Sequence, residues 1–282
     1  MDIQGRSREE LIEKVLMKKQ YSEIPLSDVE KVFDVFDDDL HSDEEKVKKT
    51  RDLLRKIYSG FSGKKLFNWK NKTADQVLKK HSSTKERFDF YDEIYERLLK
   101  NFKNKKISVI DLGAGVNGFS YGVLKNSCKN LEYVGVEAVG QFVELMNIHF
   151  SKEKLKAKAH HKSLFQLDAI KEIVKSANPP RIVFMFKVVD SLEMVEKNYT
   201  KKLLLDLKPL VDRFVVSFAT ASMVRHRRFF VKRYWFTDFL NENFNITDDF
   251  EVGDERYLVF DSSSVGKNKF GAEGLSKVFA TH

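Results

Sequence analysis

Two hydrophobic periods divide the chain near residue 104. Before it, apolar residues recur every three or four positions, the spacing of amphipathic helices. Leu11, Ile12, Val15 and Leu16 mark a helix over residues 7–19, and Pro25 separates it from a second carrying Val29, Val32, Phe33 and Phe36. Ser27 reads as the N-cap of that second helix. The acidic run 37–45 reads as a solvated loop, and residues 45–58 as a third helix with Val47, Leu53, Leu54 and Ile57 on its apolar face. A turn-rich stretch with Phe61, Leu66, Phe67 and Trp69 follows. Thr73 can cap a short helix. Thr84 can cap a longer one, whose apolar stripe is Phe88, Tyr91, Ile94, Tyr95, Leu98 and Leu99.

Beyond residue 104, short apolar runs take over. Residues 107–112, 133–138, 156–160 and 213–218 read as strands, and 181–193 as a fully buried one. Helical patterns near Phe119 and at 141–150, 165–176, 199–207 and 234–243 lie between or after them. Strands alternating with helices predict a mostly parallel α/β sheet with helices on its faces. Residues 245–261 read as a closing antiparallel hairpin. The division expected is therefore a helical part over 1–103, an α/β part over 104–261, and a mobile Ser-, Gly- and Lys-rich tail over 262–282.

Candidate chemistry begins where the first strand breaks. Asp111 is followed by Gly113, Gly115 and Gly118 in the spacing G-x-G-x-x-G. A buried strand running into a glycine turn lets a ligand approach bare backbone. The spacing serves dinucleotides and S-adenosylmethionine (SAM) alike, so alone it does not choose. The next strand ends in Glu137, and in a nucleotide-binding Rossmann-like sheet such an acid takes the ribose hydroxyls. Ser163 and Leu164 end the third strand, where side chains meet the adenine. The Asp111-x-Gly113-x-Gly115 order favours SAM, because an acid near the turn can face the cationic methionine end. So does the long helical stretch ahead of the strand. The pair His160–His161 has no further ligand in view and reads as a loop feature.

Composition changes the picture in two ways. No apolar run approaches the ~20 residues that a bilayer span requires, and the charged N-terminus is no signal peptide. The single cysteine, Cys128, excludes an internal disulfide, and no metal-ligand spacing occurs. These point to the cytoplasm. The net charge of +8 suits a polyanionic partner. That charge is densest where Arg225, His226, Arg227, Arg228, Lys232 and Arg233 are interleaved with Phe229, Phe230, Tyr234, Trp235 and Phe236. Cations neutralise phosphates and aromatic faces stack bases, which points to nucleic acid. Lys187, at a strand end, is a further candidate.

The cluster His81, Ser83, Thr84, Glu86 and Arg87 lies at the predicted start of a helix, where free N–H groups favour an anion and Arg87 can grip a carboxylate. Read from composition alone, it is more simply a capping arrangement with a surface Arg–Glu pair.

Together these stretches resemble a known family. HSSTKER at 81–87 is similar to the H-x-S-T-x-E-R of the 16S ribosomal RNA guanine-N7 methyltransferases of the aminoglycoside-resistance (FmrO and ArmA) type. DLGAGVN at 111–117 resembles their D-x-x-x-G-x-N. FMFKVVDSLE resembles F-L-x-K-x-L-P-x-L-E with Lys187 and Glu193 retained, and VVSFATAS resembles VVSFPT-x-S. The resemblance spans about residues 8–260. Asp190 and Ala219 stand where the family has proline, and the loop MVRHRRFFVKR lacks the family's glycines.

The resemblance implies a class I SAM-dependent methyltransferase with a helical N-terminal RNA-binding subdomain. It implies that His81, Thr84 and Arg87 hold the methionine end of SAM, with the glycine turn and Glu137 holding the rest. Lys187, Arg225 and Arg228 would position ribosomal RNA within the small subunit. No residue is expected as catalytic base, because guanine N7 already carries a free lone pair. Three alternatives stay open: the same fold acting on another RNA or a small molecule, a non-catalytic RNA-binding factor, and a dinucleotide oxidoreductase.

Overall fold

The structure, a computed structural model, describes residues 6–58, 72–220 and 233–262. The stretch with Phe61, Leu66, Phe67 and Trp69, the residues Arg225 and Arg228, and all but the first residue of the expected tail lie outside these.

The N-terminal region is helical. Helices α1 (Arg8–Leu16), α2 (Leu26–Asp34) and α3 (Asp43–Tyr58) close on their own apolar cluster of Val15, Val29, Val32, Phe33 and Leu54. Ser7 caps α1 through a reciprocal bond pair with Glu10, which satisfies two otherwise orphaned donors. The cap of α2 is Pro25 and not Ser27, which lies inside the first turn. Proline's fixed φ suits a helix start, and its missing N–H costs nothing there.

Helices α4 (Ala74–Leu78), α5 (Ser82–Arg87) and α6 (Tyr91–Leu99) lead to the sheet. Thr73 caps α4 as expected, with Gln76 reciprocating. Thr84 caps nothing: it lies within α5, and its hydroxyl donates to the Leu78 carbonyl at 2.7 Å and the His81 carbonyl at 3.2 Å. This hydroxyl ties α5 to the end of α4.

Seven strands form one sheet in the order β3-β2-β1-β4-β5-β7-β6. Strands β1 (Ile107–Leu112), β2 (Leu131–Glu137), β3 (Ala157–His161), β4 (Arg181–Phe186) and β5 (Arg213–Ala219) are parallel. The hairpin β6 (Asn245–Val252) and β7 (Glu255–Asp261) joins antiparallel to β5. Every residue of β1 is buried, as expected for a central strand covered on both faces. One face packs on α6, α7 (Tyr121–Ser127) and α8 (Gly140–Lys152). The other packs on α9 (Leu167–Ser176), α10 (Val189–Val195), α11 (Tyr199–Leu207) and α12 (Tyr234–Asn243).

One expected strand is too long. The apolar run 181–193 leaves the sheet after Phe186, turns at Lys187 with φ +57°, and becomes α10. Val189 and Leu192, three apart, are the buried side of that helix. A continuous apolar run does not separate a buried strand from a buried helix. Chain order reverses between β1 and β4, so a crevice opens beyond their C-terminal ends.

Candidate active site

The turn after β1 is built on two left-handed glycines, Gly113 at φ +76° and Gly115 at φ +54°. A Cβ on Gly113 would lie 2.7 Å from Val188, and one on Gly115 would lie 3.2 Å from the His81 ring. Gly118 has another role. A Cβ there would meet Phe150 at 2.6 Å and the Met146 sulfur at 2.9 Å, so this glycine seats the turn against α8.

A cavity of about 440 Å³ lies in the crevice. Its size suits a small-molecule cofactor. His81, Thr84, Arg87, Asp111, Gly113, Gly115, Glu137, Leu164 and Lys187 all line it, so the expected cofactor residues and the strand-end lysine converge. Ser163 is not part of the wall: its side-chain oxygen accepts the Phe165 N–H at 3.0 Å.

Arg87 stands in the last turn of α5 and is only 3% exposed. This corrects the surface-pair reading, since Arg87 is buried, and it places Arg87 at the end of the short helix that His81 opens. Its Nε donates to Glu255 at 3.0 Å, one terminal nitrogen to Asn117 at 3.2 Å, and the other to Ser83 at 2.6 Å. Each terminal nitrogen keeps a second N–H beyond these bonds. Glu255, 2% exposed, also faces Lys187 at 3.2 Å and accepts from the Ser217 hydroxyl. Burial alone would raise the Glu255 carboxyl, but Arg87, Lys187 and Ser217 hold it below the usual carboxylate range. Lys187 pairs with Glu86 as well, so it is no free strand-end lysine.

Asn117 joins the cation to the acid. Its carbonyl accepts from Arg87 and from the Tyr91 hydroxyl at 2.7 Å, while its amide donates to Asp111 Oδ2 at 2.7 Å. The Tyr133 hydroxyl donates to the same oxygen at 2.8 Å. Burial pushes the Asp111 carboxyl up against these two bonds. Glu137 accepts the Gly115 and Val139 N–H groups, both at 2.8 Å, which locks the carboxylate across the glycine turn. Burial raises it too, opposed by those N–H groups. His81 packs edge-on against Phe142, and burial, aided by the Arg87 charge, lowers it to about 3. It is a neutral imidazole at physiological pH.

Sequence reading missed three contributors. Asn117 was visible in its motif but was not given a site role. Glu255 lies in the closing hairpin, and Asp28 lies in the helical region nearly eighty residues before β1. Neither has a local pattern that marks it. At α10, Arg233 pairs with Asp190 at 2.6 Å and lies over Phe218, while the neighbouring Tyr234 and Trp235 are exposed.

Known structures share this fold. No curated protein matches the chain. Among solved structures, the 16S rRNA methyltransferase RmtF, in complex with S-adenosyl-L-homocysteine, superposes with a TM-score of 0.74 at 22% identity, covering 91% of this chain and 99% of that one. An rRNA methylase from Escherichia coli gives 0.70 at 18%, covering 90% and 98%. The 16S rRNA methylase RmtB gives 0.69 at 18%, covering 90% and 97%. These likenesses establish a shared fold. The sequence profile described as ribosomal RNA methyltransferase (FmrO) matches residues 44–242, from α3 through α12. That stretch takes in the glycine turn, His81–Arg87 by number 81–87, and Lys187, and the chain belongs to the FmrO family of ribosomal RNA methyltransferases.

Proposed function

We propose that the chain transfers a methyl group from SAM to N7 of a guanine in 16S ribosomal RNA, acting on the small subunit in the cytoplasm. The observation that carries the cofactor reading is the convergence of Arg87, Asp111, the glycine turn and Glu137 on one cavity. The donor set fits the ligand end to end. Arg87 has N–H groups to spare for the methionine carboxylate, and buried Asp111 suits the ammonium. Glu137, locked across the turn, suits the ribose hydroxyls, and Leu164 and Phe165 give apolar wall for the purine.

SAM supplies an electrophilic methyl group. The chain's task is then positioning, an entropic contribution that can reach about 7 kcal/mol or more. Guanine N7 needs no deprotonation, and the site is arranged accordingly. Asp111, Glu137 and Glu255 are each held as hydrogen-bond acceptors, and His81 is shut in and neutral. Lys187, with Arg225 and Arg228 from outside the described residues, would hold the RNA while the base leaves its stack. The helical region 1–103 would dock the ribosome, and 104–261 would carry the chemistry.

The test is methyl transfer from tritiated SAM to naked 16S rRNA, 30S particles and 70S ribosomes, followed by mapping of the nucleotide. Label at a guanine N7 of 16S rRNA is the expected result. Label on another base atom, or on transfer RNA alone, overturns the assignment.

A further inference from the structure

The cavity has a wall that the sheet does not supply. Asp28, Ile57 and Tyr58, from α2 and α3, line it together with Leu164 and Phe165. This wall lies at the purine end, because it includes Leu164 and Phe165 from the loop after β3, and the Asp28 carboxyl is close enough to the Ser163 side chain to interact with it. Asp28 is 1% exposed, although it belongs to a surface helix of the N-terminal region. Its Oδ2 accepts from the Tyr58 hydroxyl, and the Ser27 hydroxyl lies 3.4 Å from Oδ1.

A buried carboxylate needs hydrogen bonds, and it has about four acceptor positions. Tyr58 takes one and Ser27 makes a long contact to another, so acceptor capacity remains for a donor in the cavity. Lys56, the other charged side chain at this end, is exposed and can only donate. We infer that Asp28 reads the purine of the cofactor by accepting a hydrogen bond from the 6-amino group of adenine, so that the helical N-terminal region completes the cofactor site. Leu164 and Phe165 provide apolar contact but cannot tell an amine from a carbonyl. A carboxylate can, because a carbonyl oxygen at position 6 would face it without a proton between them.

The helix is fixed where this role needs it. Lys31, one turn after Asp28, pairs with Glu196 at 2.6 Å and lies over the Phe165 ring at 5.3 Å. Just before α2, the Glu23 carbonyl accepts the Gly140 N–H at 3.2 Å and lies 3.0 Å from His161 Nε2. These contacts hold α2 against the ends of β2, β3 and α10 from both sides.

The inference rests on the SAM reading, and one titration separates the two. Calorimetry of the full chain compares S-adenosyl-L-homocysteine with S-inosyl-L-homocysteine, which carries a carbonyl in place of the 6-amine. The wild type should bind the adenosyl ligand on the order of 10- to 100-fold more tightly, the worth of one charge-assisted hydrogen bond. Asp28→Asn should weaken that ligand and erase the preference, since its amide can donate to the carbonyl. If the amide variant fails to fold, Asp28→Ser, which keeps a hydroxyl for Tyr58, must lose the preference likewise. Equal binding of both ligands by the wild type, or an unchanged ratio in either variant, overturns the role of Asp28 and leaves the cofactor standing. Binding of neither ligand overturns the cofactor reading itself.

Discussion

Arg87 and Glu255 form an ion pair almost wholly shut off from water, so neither charge survives well without the other. Glu255→Gln should cost about 3 kcal/mol or more in a urea titration, because it leaves Arg87 and Lys187 facing a neutral amide. It should also weaken S-adenosyl-L-homocysteine, since the guanidinium loses the partner that orients it. His81 gives a pH prediction whose sign is set by burial. Its folded value is about 3 against an ordinary 6.5, so between these values the unfolded chain takes a proton that the folded chain refuses. Stability is therefore retained above about 6.5 and falls as pH drops toward 3. Referenced to their difference at pH 7.5, thermal melts should show the wild type losing stability relative to His81→Asn at pH 5, because only the wild type carries this penalty. Arg87 and Asp111 were both legible as site residues, because each lies in a short motif whose residue types serve one chemistry. Asn117 was half legible. Glu255 and Asp28 were not, because what makes them part of the site is contact across the fold.

At the scale of elements, periodicity did most of the work. The boundaries of α11 and α12 match the apolar spacing, and the closing hairpin pairs as its alternation suggests. The failures have local causes. Ser27 and Thr84 were read as caps because serine and threonine favour that position, yet each side chain found a better partner elsewhere. The strand over 181–193 was overdrawn because burial on both sides of the turn at Lys187 hides the change of period. The glycines show how packing assigns roles that spacing cannot. Gly118 completes the dinucleotide-like pattern, but its space is taken by α8. Gly118→Ala should destabilise the protein by roughly 1–3 kcal/mol through overpacking, with most of the ligand affinity retained in the folded fraction. Denaturation and calorimetry on the same variant would separate the two effects.

For the molecule as a whole, the helical region and the sheet meet at the cofactor cavity. Occupying it should tighten both. Hydrogen exchange in α2 should slow on addition of S-adenosyl-L-homocysteine as it does around the glycine turn, because a ligand held by Asp28 is lost whenever α2 opens. Exchange in α2 that ignores the ligand would mean the two parts meet without coupling. The net charge of +8 acts at this scale too, favouring a polyanion without specifying which. Sequence could announce a nucleic-acid partner by charge and a family by motif. It could not reveal that one cavity draws walls from residue 28 to residue 192 while its arginine leans on residue 255.

That span has a consequence for how the protein is made. The counterion of Arg87 sits on β7, which follows every parallel strand in the chain and lies between β5 and β6 in the sheet. A chain still being translated thus carries a complete glycine turn and the Asp28 wall long before it can neutralise Arg87. Until then the guanidinium has no buried carboxylate to enter the core with, and α5 has reason to stay in water. Cofactor capture that relies on Arg87 therefore waits until β7 has been made and paired, which ties the first helices of the site to the hairpin that closes the sheet.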